Sequence, residues 1–241
     1  MNRGVAGLMI CATALLASQQ LAAQDASDSA AYRALTQTPV GAFSPWSSTA
    51  IAGRRGAGLA LHARYGVQSF RSNDYVHNVG AGVDLPLANG RLGVTFGRYN
   101  PTCPRDDCPG HYMVSLSVDQ NLVAVALGRS EHAASLDIGL QGAVGYARPE
   151  GTLLSGSAVV PFALVPRREG LRFFPFVAPG VGVGLTHQAD DTDAGMLPLL
   201  AMGVSALGAG DRLGVTAGVT RAFLRGGNWV AGVNVGWALH R

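Results

Sequence analysis

Lysine is absent: all 18 basic residues are arginine, and charged residues make up only 14% of the 241-residue chain. The formal net charge of +3 is small. Its arginines are scattered, with Arg54-Arg55 and Arg167-Arg168 as isolated pairs, so the clustered footprint of a nucleic-acid binder is missing. Low charge together with 48% hydrophobic residues excludes disorder for most of the chain. The 33 glycines and 12 prolines oppose long helices. No stretch beyond the N-terminus is apolar and long enough for a membrane helix, which needs about 20 residues. Any passage through a membrane must therefore use strands.

The N-terminus is of another kind. Asn2-Arg3 precedes an apolar run from Val5 to Ala17, and Leu21-Ala22-Ala23 offers a small-residue exit. This pattern predicts a secretory signal peptide over residues 1–23, too short to span a bilayer. Its removal takes Cys11 and leaves Cys103 and Cys108, an even pair in an exported chain, for which a disulfide is the expectation. Residues 24–55 are rich in Asp, Ser, Ala and Thr, with Pro39 and Pro45, and read as a flexible leader; a plug or extra strand near Phe43 to Ile51 is the rival reading.

From Gly56 onward one motif repeats. At the C-terminal end, Leu213, Val215, Ala217 and Val219 alternate with Gly214, Thr216, Gly218 and Thr220. After Arg225-Gly226-Gly227-Asn228 the alternation resumes, with Trp229, Ala231, Val233, Val235, Trp237 and Leu239 against Gly232, Asn234 and Gly236. Successive strand side chains point to opposite faces, so each segment has one greasy face and one face of small or polar groups. The same pattern runs through Ala57 to Phe70, Val79 to Leu85, Leu92 to Phe96, Tyr112 to Val118, Leu136 to Tyr146, Ser155 to Val165, Leu171 to Thr186 and Leu197 to Leu207. Ala88-Asn89-Gly90 carries the Asn-Gly hairpin signal. The phase slips at Asp119-Gln120-Asn121, which marks either a tight turn or a β-bulge within one long strand.

With the bulge, the pattern predicts an all-β, antiparallel up-and-down transmembrane β-barrel over residues 56–241, of ten strands, with eight or twelve as alternatives; single-chain bacterial barrels have even numbers. A soluble barrel would put its bulky residues inside and its charges outside. Here the face opposite the bulky one is mostly Gly, Ala, Ser and Thr, which suits the inner wall of a small barrel whose greasy face meets lipid. Connections at 100–110, 148–154 and 187–195 are expected to be longer than those at 88–90, 129–134, 166–170 and 208–211, placing both termini on the periplasmic side.

The signal peptide, the dyad repeat from Gly56 to Leu239 and the closing strand with Val233, Val235, Trp237 and Leu239 resemble the small bacterial outer-membrane β-barrels, the opacity-like and related proteins. The resemblance covers about three quarters of the chain and is architectural. It departs at the end, Leu239-His240-Arg241, where such barrels usually finish on an aromatic residue; Trp237 is the substitute available. The resemblance implies an outer-membrane location, contact with outer-membrane lipid and lipopolysaccharide, and delivery by the barrel assembly machinery.

The alternation turns His62, Arg64, Asp84, Asp119 and Asp137 toward the lumen, where charges must be paired or hydrated. A lumenal polar cluster is expected, with Arg64 paired to Asp84 or Asp119. No catalytic, cofactor-binding or metal residues are assigned. Glu131, His132 and Ser135 superficially suggest a hydrolase, but nothing in their spacing gives a nucleophile–base geometry. Cys103, Asp106, Asp107, Cys108 and His111 could be drawn as a metal site, against which a disulfide is favoured. Asp190, Asp191 and Asp193 lack the full ligand spacing of a calcium loop. Tyr65, Phe96, Tyr112, Trp229 and Trp237 are candidates for an interfacial aromatic girdle. The expected function is a non-enzymatic outer-membrane barrel whose outer loops serve surface interaction or envelope integrity, meeting an extracellular ligand of unknown kind. A narrow passive pore is the alternative, and a lipid-modifying barrel enzyme stands third.

Overall fold

Bulky β-branched and aromatic residues on one face and small residues on the other favour paired strands, and strands account for nearly all regular structure here. The computed structural model describes residues 58–69, 75–101, 110–128, 134–147, 152–166, 170–188, 191–208, 212–223 and 228–239. The signal peptide, the leader, and Cys103 and Cys108 lie outside the described residues.

Eleven strands follow in order: β1 (Ala60–Ser69), β2 (Tyr75–Leu87), β3 (Gly90–Pro101), β4 (His111–Leu127), β5 (Ala134–Ala147), β6 (Thr152–Val159), β7 (Phe162–Pro166), β8 (Arg172–Gln188), β9 (Asp191–Gly208), β10 (Leu213–Ala222) and β11 (Asn228–Ala238). All pairings are antiparallel, each strand pairing with its neighbours around one sheet. The sheet closes where β1 pairs with β11, from Ala60 opposite Ala238 to Gln68 opposite Val230. The seam continues one residue further, because the Leu239 amide donates to the Leu59 carbonyl at 2.8 Å. Closure leaves the main sheet without the free edges that a hydrocarbon environment forbids.

β6 and β7 share one place in the wall, since both pair with β5 on one side and β8 on the other. The barrel therefore has ten strand positions. The interruption falls at Val160-Pro161, where proline has no N–H for the ladder. The break is bridged to both neighbours: the Val160 amide donates to the Pro179 carbonyl at 2.9 Å, and the Gly139 amide to the Pro161 carbonyl at 3.0 Å.

The phase slip in β4 is a bulge. Its register against β5 shifts between Asn121 and Val123, leaving Leu122 without a partner. β3 ends its pairing with β4 at Gly90 opposite Gln120, and the Asn121 amide donates to the Asn89 carbonyl of the β2–β3 turn at 2.9 Å. The extra residue thus falls where β4 outruns β3.

Two connections are shorter than expected, and β6 already begins at Thr152, inside the 148–154 segment. The acidic segment expected as a loop from His187 to Gly195 is mostly strand: β8 and β9 stay paired out to Gln188 opposite Asp191. The ladder carries Thr192 and Asp193 through to Gly195, because a hairpin of continuous hydrogen bonds tolerates acidic residues near its tip. The contrast in connection length between the two barrel ends is correspondingly smaller, and 102–110 is the longest connection opposite the termini.

The alternation sorts the wall into two faces. On β11, Trp229, Val233, Val235, Trp237 and Leu239 are exposed, while Val230, Asn234, Gly236 and Ala238 are buried. Leu59, Leu61, Tyr65, Val79, Leu85, Phe96, Tyr112, Leu116, Val144, Leu164, Phe173, Val181 and Val204 continue the exposed apolar surface around the barrel.

Candidate functional site

The inner face is where polar chemistry gathers. A water-filled bore would leave inward side chains wet, but most are buried here, with Arg64 at 5%, Gln68 at 2% and Phe174 at 1% relative exposure; past the β4 bulge, inward Ala124 and Ala126 are exposed and Asp137 is half-buried. The interior has two unlike halves. On β1 to β5 and β11 the inward residues include His62, Arg64, Gln68, Asn78, Asp84, Arg91, Thr95, Ser115, Ser117, Asp119, Gln141 and Asn234, all buried. On β6 to β9 they are chiefly Val159, Ala163, Phe174, Phe176, Ala178, Leu197, Leu199 and Leu207. Of these, Val159, Ala163, Phe174, Phe176, Ala178 and Leu207 form one packed cluster with Ala60, Val230 and Ala238 from the closing strands, so separate parts of the wall meet in the interior.

The polar half is organised by cross-strand rows. His62 of β1 lies opposite Gly82 of β2, which lies opposite Thr95 of β3. Glycine at the middle position lets the imidazole lie across β2, where His62 Nε2 meets Thr95 Oγ1 at 2.8 Å. A Cβ on Gly82 would stand 2.7 Å from that nitrogen and would also strike the Val94 carbonyl oxygen. The other ring nitrogen, Nδ1, lies 3.1 Å from Asp84 Oδ2, an ion-pair distance whose alignment falls short of a hydrogen bond.

Arg64 reaches further along the same wall. It lies opposite Gly80 of β2, and its Nη2 donates to Ser115 Oγ of β4 at 2.6 Å. A Cβ on Gly80 would sit 3.4 Å from Arg64 Nε and 3.0 Å from Thr95 Cγ2, so this glycine also leaves room for a side chain from the next strand. Gly93 does the same for Asp84, whose Oδ1 would be 2.7 Å from an added Cβ. Long polar side chains therefore alternate with glycines on adjacent strands, the large–small arrangement that fills a narrow barrel.

Arg64 is attracted to Asp84 but makes its hydrogen bond elsewhere. Its short hydrogen bond goes to Ser115, while Asp84 contacts His62. Asp84 attracts Arg64 electrostatically and attracts Arg91 as well. Arg91 stands directly opposite Asp119 on β4, and Asp119 opposite Gln141 on β5. Asp137 stands apart from His62 and Asp84: half-buried, it lies opposite Ala124 and Ala163. With Asp119, Asn121, Pro161 and Phe174 it borders a void of about 30 Å³ beside the bulge, room for a water molecule or two.

Arg91 was missed in the sequence because the Asn-Gly turn put the start of the strand at Leu92; the ladder begins at Gly90. A further polar contact, Ser205 Oγ to Thr216 Oγ1 at 2.9 Å, joins β9 to β10 beside Asn234. Ser135 is buried on the inner face, while Glu131 and His132 lie outside the described residues. The described residues hold no cluster of three metal-ligating side chains. This arrangement can brace the wall and neutralise charge inside it.

No family model and no curated protein matches the chain. Among solved structures it is similar to the N-terminal β-barrel domain of Pseudomonas aeruginosa OprF, with 13% identity and a TM-score of 0.31, over 75% of this chain and 98% of that one. It is similar to the translocator domain of the autotransporter NalP from Neisseria meningitidis, with 13% identity and a TM-score of 0.35, over 83% and 99%. It is also similar to Ail, the attachment invasion locus protein of Yersinia pestis, with 9% identity and a TM-score of 0.26, over 75% and 97%. Similarity this low supplies no ligand and no activity. The closed antiparallel barrel stands on its own pairings.

Proposed function

We propose that the protein is a non-enzymatic barrel of the bacterial outer membrane whose packed, non-conducting interior anchors surface connections for interaction or envelope integrity. The observation that carries this reading is the outward face. Around the closed wall it is built of Leu, Val, Phe, Tyr, Trp, Met and Ala, with exposures such as 66% for Phe96 and 55% for Phe173. In water such a belt would be a continuous aggregation surface; in a bilayer it is the solvated side. A signal peptide over residues 1–23 and a Cys103–Cys108 disulfide fit an exported protein, and the architecture fits the opacity-like barrels. Lipopolysaccharide and the barrel assembly machinery are the partners this location supplies, and the end of the barrel opposite the termini faces outward.

The narrow-pore alternative is disfavoured by the burial of Arg64, Gln68 and Phe174 across the interior.

Tryptophan fluorescence tests the membrane reading. In a Trp46→Phe background, Trp229 and Trp237, both outward-facing, are the reporters. Brominated lipid chains in refolded vesicles should quench much of their emission, and a water-soluble quencher should have the smaller effect. Strong aqueous quenching with no response to brominated lipid would count against a lipid-facing wall.

A further inference from the structure

The outward positions of the strands carry a one-sided set of charges. Among the described outward side chains, the charged ones are Arg98 and Arg221, joined by the titratable His77 and His187, and no outward strand position carries a carboxylate. All four lie toward the same end, the one opposite the chain termini: Arg98 near the end of β3, Arg221 near the end of β10, His77 near the start of β2 and His187 near the end of β8.

Both arginines are backed by aromatic rings. Arg98 Cζ lies 5.9 Å from the centre of the Tyr112 ring, and Arg221 Cζ lies 6.0 Å from that of Phe223. Arg221 also stands directly across the strand from Trp229. Tyr65, Val79, Arg98 and Tyr112 form one continuous cross-strand row on the outside. At the edge of that row Tyr65 Oη meets His77 Nδ1 at 2.7 Å, and the two rings stack at 6.1 Å.

We infer that this rim is a binding surface for the phosphate groups of an anionic lipid in the leaflet at that end, with Arg98 and Arg221 as the two anchoring points. The inference rests on the membrane reading above. An arginine on the lipid face is costly at the bilayer midplane and nearly free near the interface, which places these residues at headgroup depth. Among the described residues no carboxylate competes for them on that face, and a guanidinium presents a planar fork that matches phosphate oxygens in pairs. Tyr112 and Phe223 back the two cations, and Tyr112 and Trp229 are amphipathic rings suited to the same depth. His77, on Tyr65, adds a neighbouring group able to donate to a phosphate.

The test uses the full mature chain refolded into phosphatidylcholine vesicles, with and without diphosphorylated lipid A, following loss of heat-modifiable gel mobility with temperature. Lipid A should raise the wild-type midpoint by roughly 4 °C or more, through preferential binding to the folded state. Arg98→Gln/Arg221→Gln should fold in phosphatidylcholine and lose that rise. Arg98→Lys/Arg221→Lys keeps charge without the fork and should retain part of it, and serves if the glutamine variant fails to insert. Fully dephosphorylated lipid A should give no rise. A rise from inorganic phosphate alone would overturn the lipid as the source, and equal stabilisation of wild type and both variants would overturn the site. Failure of the wild type to insert at all would overturn the membrane reading and this inference together; insertion without a phosphate-dependent shift would overturn the inference alone.

Discussion

Asp84→Leu is expected to cost about 3–5 kcal/mol of barrel stability, the range for removing one partner from a buried charge group. Asp84 is 1% exposed, contacts His62 and attracts both Arg64 and Arg91. Arg91 keeps Asp119 as its cross-strand neighbour. Arg64 keeps only the Ser115 hydroxyl among its short contacts, so the loss falls mainly on it. Equilibrium urea unfolding in vesicles measures the effect. The Arg64→Met/Asp84→Leu double variant should recover part of the loss, giving a coupling energy of about 1–3 kcal/mol. Additive losses would mean that the two side chains do not act on each other. Asp84→Asn, which keeps shape and hydrogen-bonding atoms, should fall between wild type and leucine.

Gly82→Ala is the second large effect, about 1–3 kcal/mol of destabilisation by overpacking. The added methyl would press on His62 and on the Val94 carbonyl, and the imidazole would have to leave Thr95. Gly142→Ala is the matched control. Its Cβ would meet Val118 Cγ1 at 3.5 Å and the Ser157 carbonyl oxygen at 3.7 Å, ordinary contact distances. Because glycine in a strand gives up more chain entropy than alanine, this variant should be neutral or stabilising by up to about 1 kcal/mol. Urea midpoints of the two variants in parallel decide the matter. Equal, small effects would show that Gly82 is not the surface on which His62 rests.

The outer wall was legible in the sequence wherever one face alone is bulky. On β1, β2, β10 and β11, Gly, Thr and Asn between Val, Leu and Trp fixed which side faces out, and the register of the closing pair follows from it. Alternation loses its power on β8 and β9. There Phe173 and Val177 face out while Phe174 and Phe176 face in, and Leu200 and Leu199 divide in the same way. Two bulky faces blur the alternation there: Gly180, Gly182 and Gly184 still mark the inner face of β8, but Phe174, Phe176, Leu197 and Leu199 cannot be told from outward residues by local pattern. Phe176 fits inside because Gly203 and Gly218 lie beneath its ring, a relation between three strands that no local pattern records. The same limit applies to the polar site. His62, Arg64, Asp84 and Asp119 could be assigned to the inner face, but which acid meets which base depends on strand stagger. The bulge at Leu122 and the start of β3 at Gly90 set that stagger. The tip of the β8–β9 hairpin escapes local pattern for a related reason: acidic residues there look like a loop until the paired strand supplies its hydrogen bonds.

Planar-bilayer recording of the purified, refolded chain tests the packed interior most directly. Polar contacts run from His62 to Thr95 and from Arg64 to Ser115, and Phe174, Phe176, Leu197 and Leu199 are buried in the other half, the packing on which the proposed non-conducting interior rests. Insertion verified by heat-modifiable mobility should therefore give a silent membrane, with no unitary current steps across the usual range of voltage. Stable, reproducible steps from the inserted wild type would contradict a filled lumen and restore the passive pore.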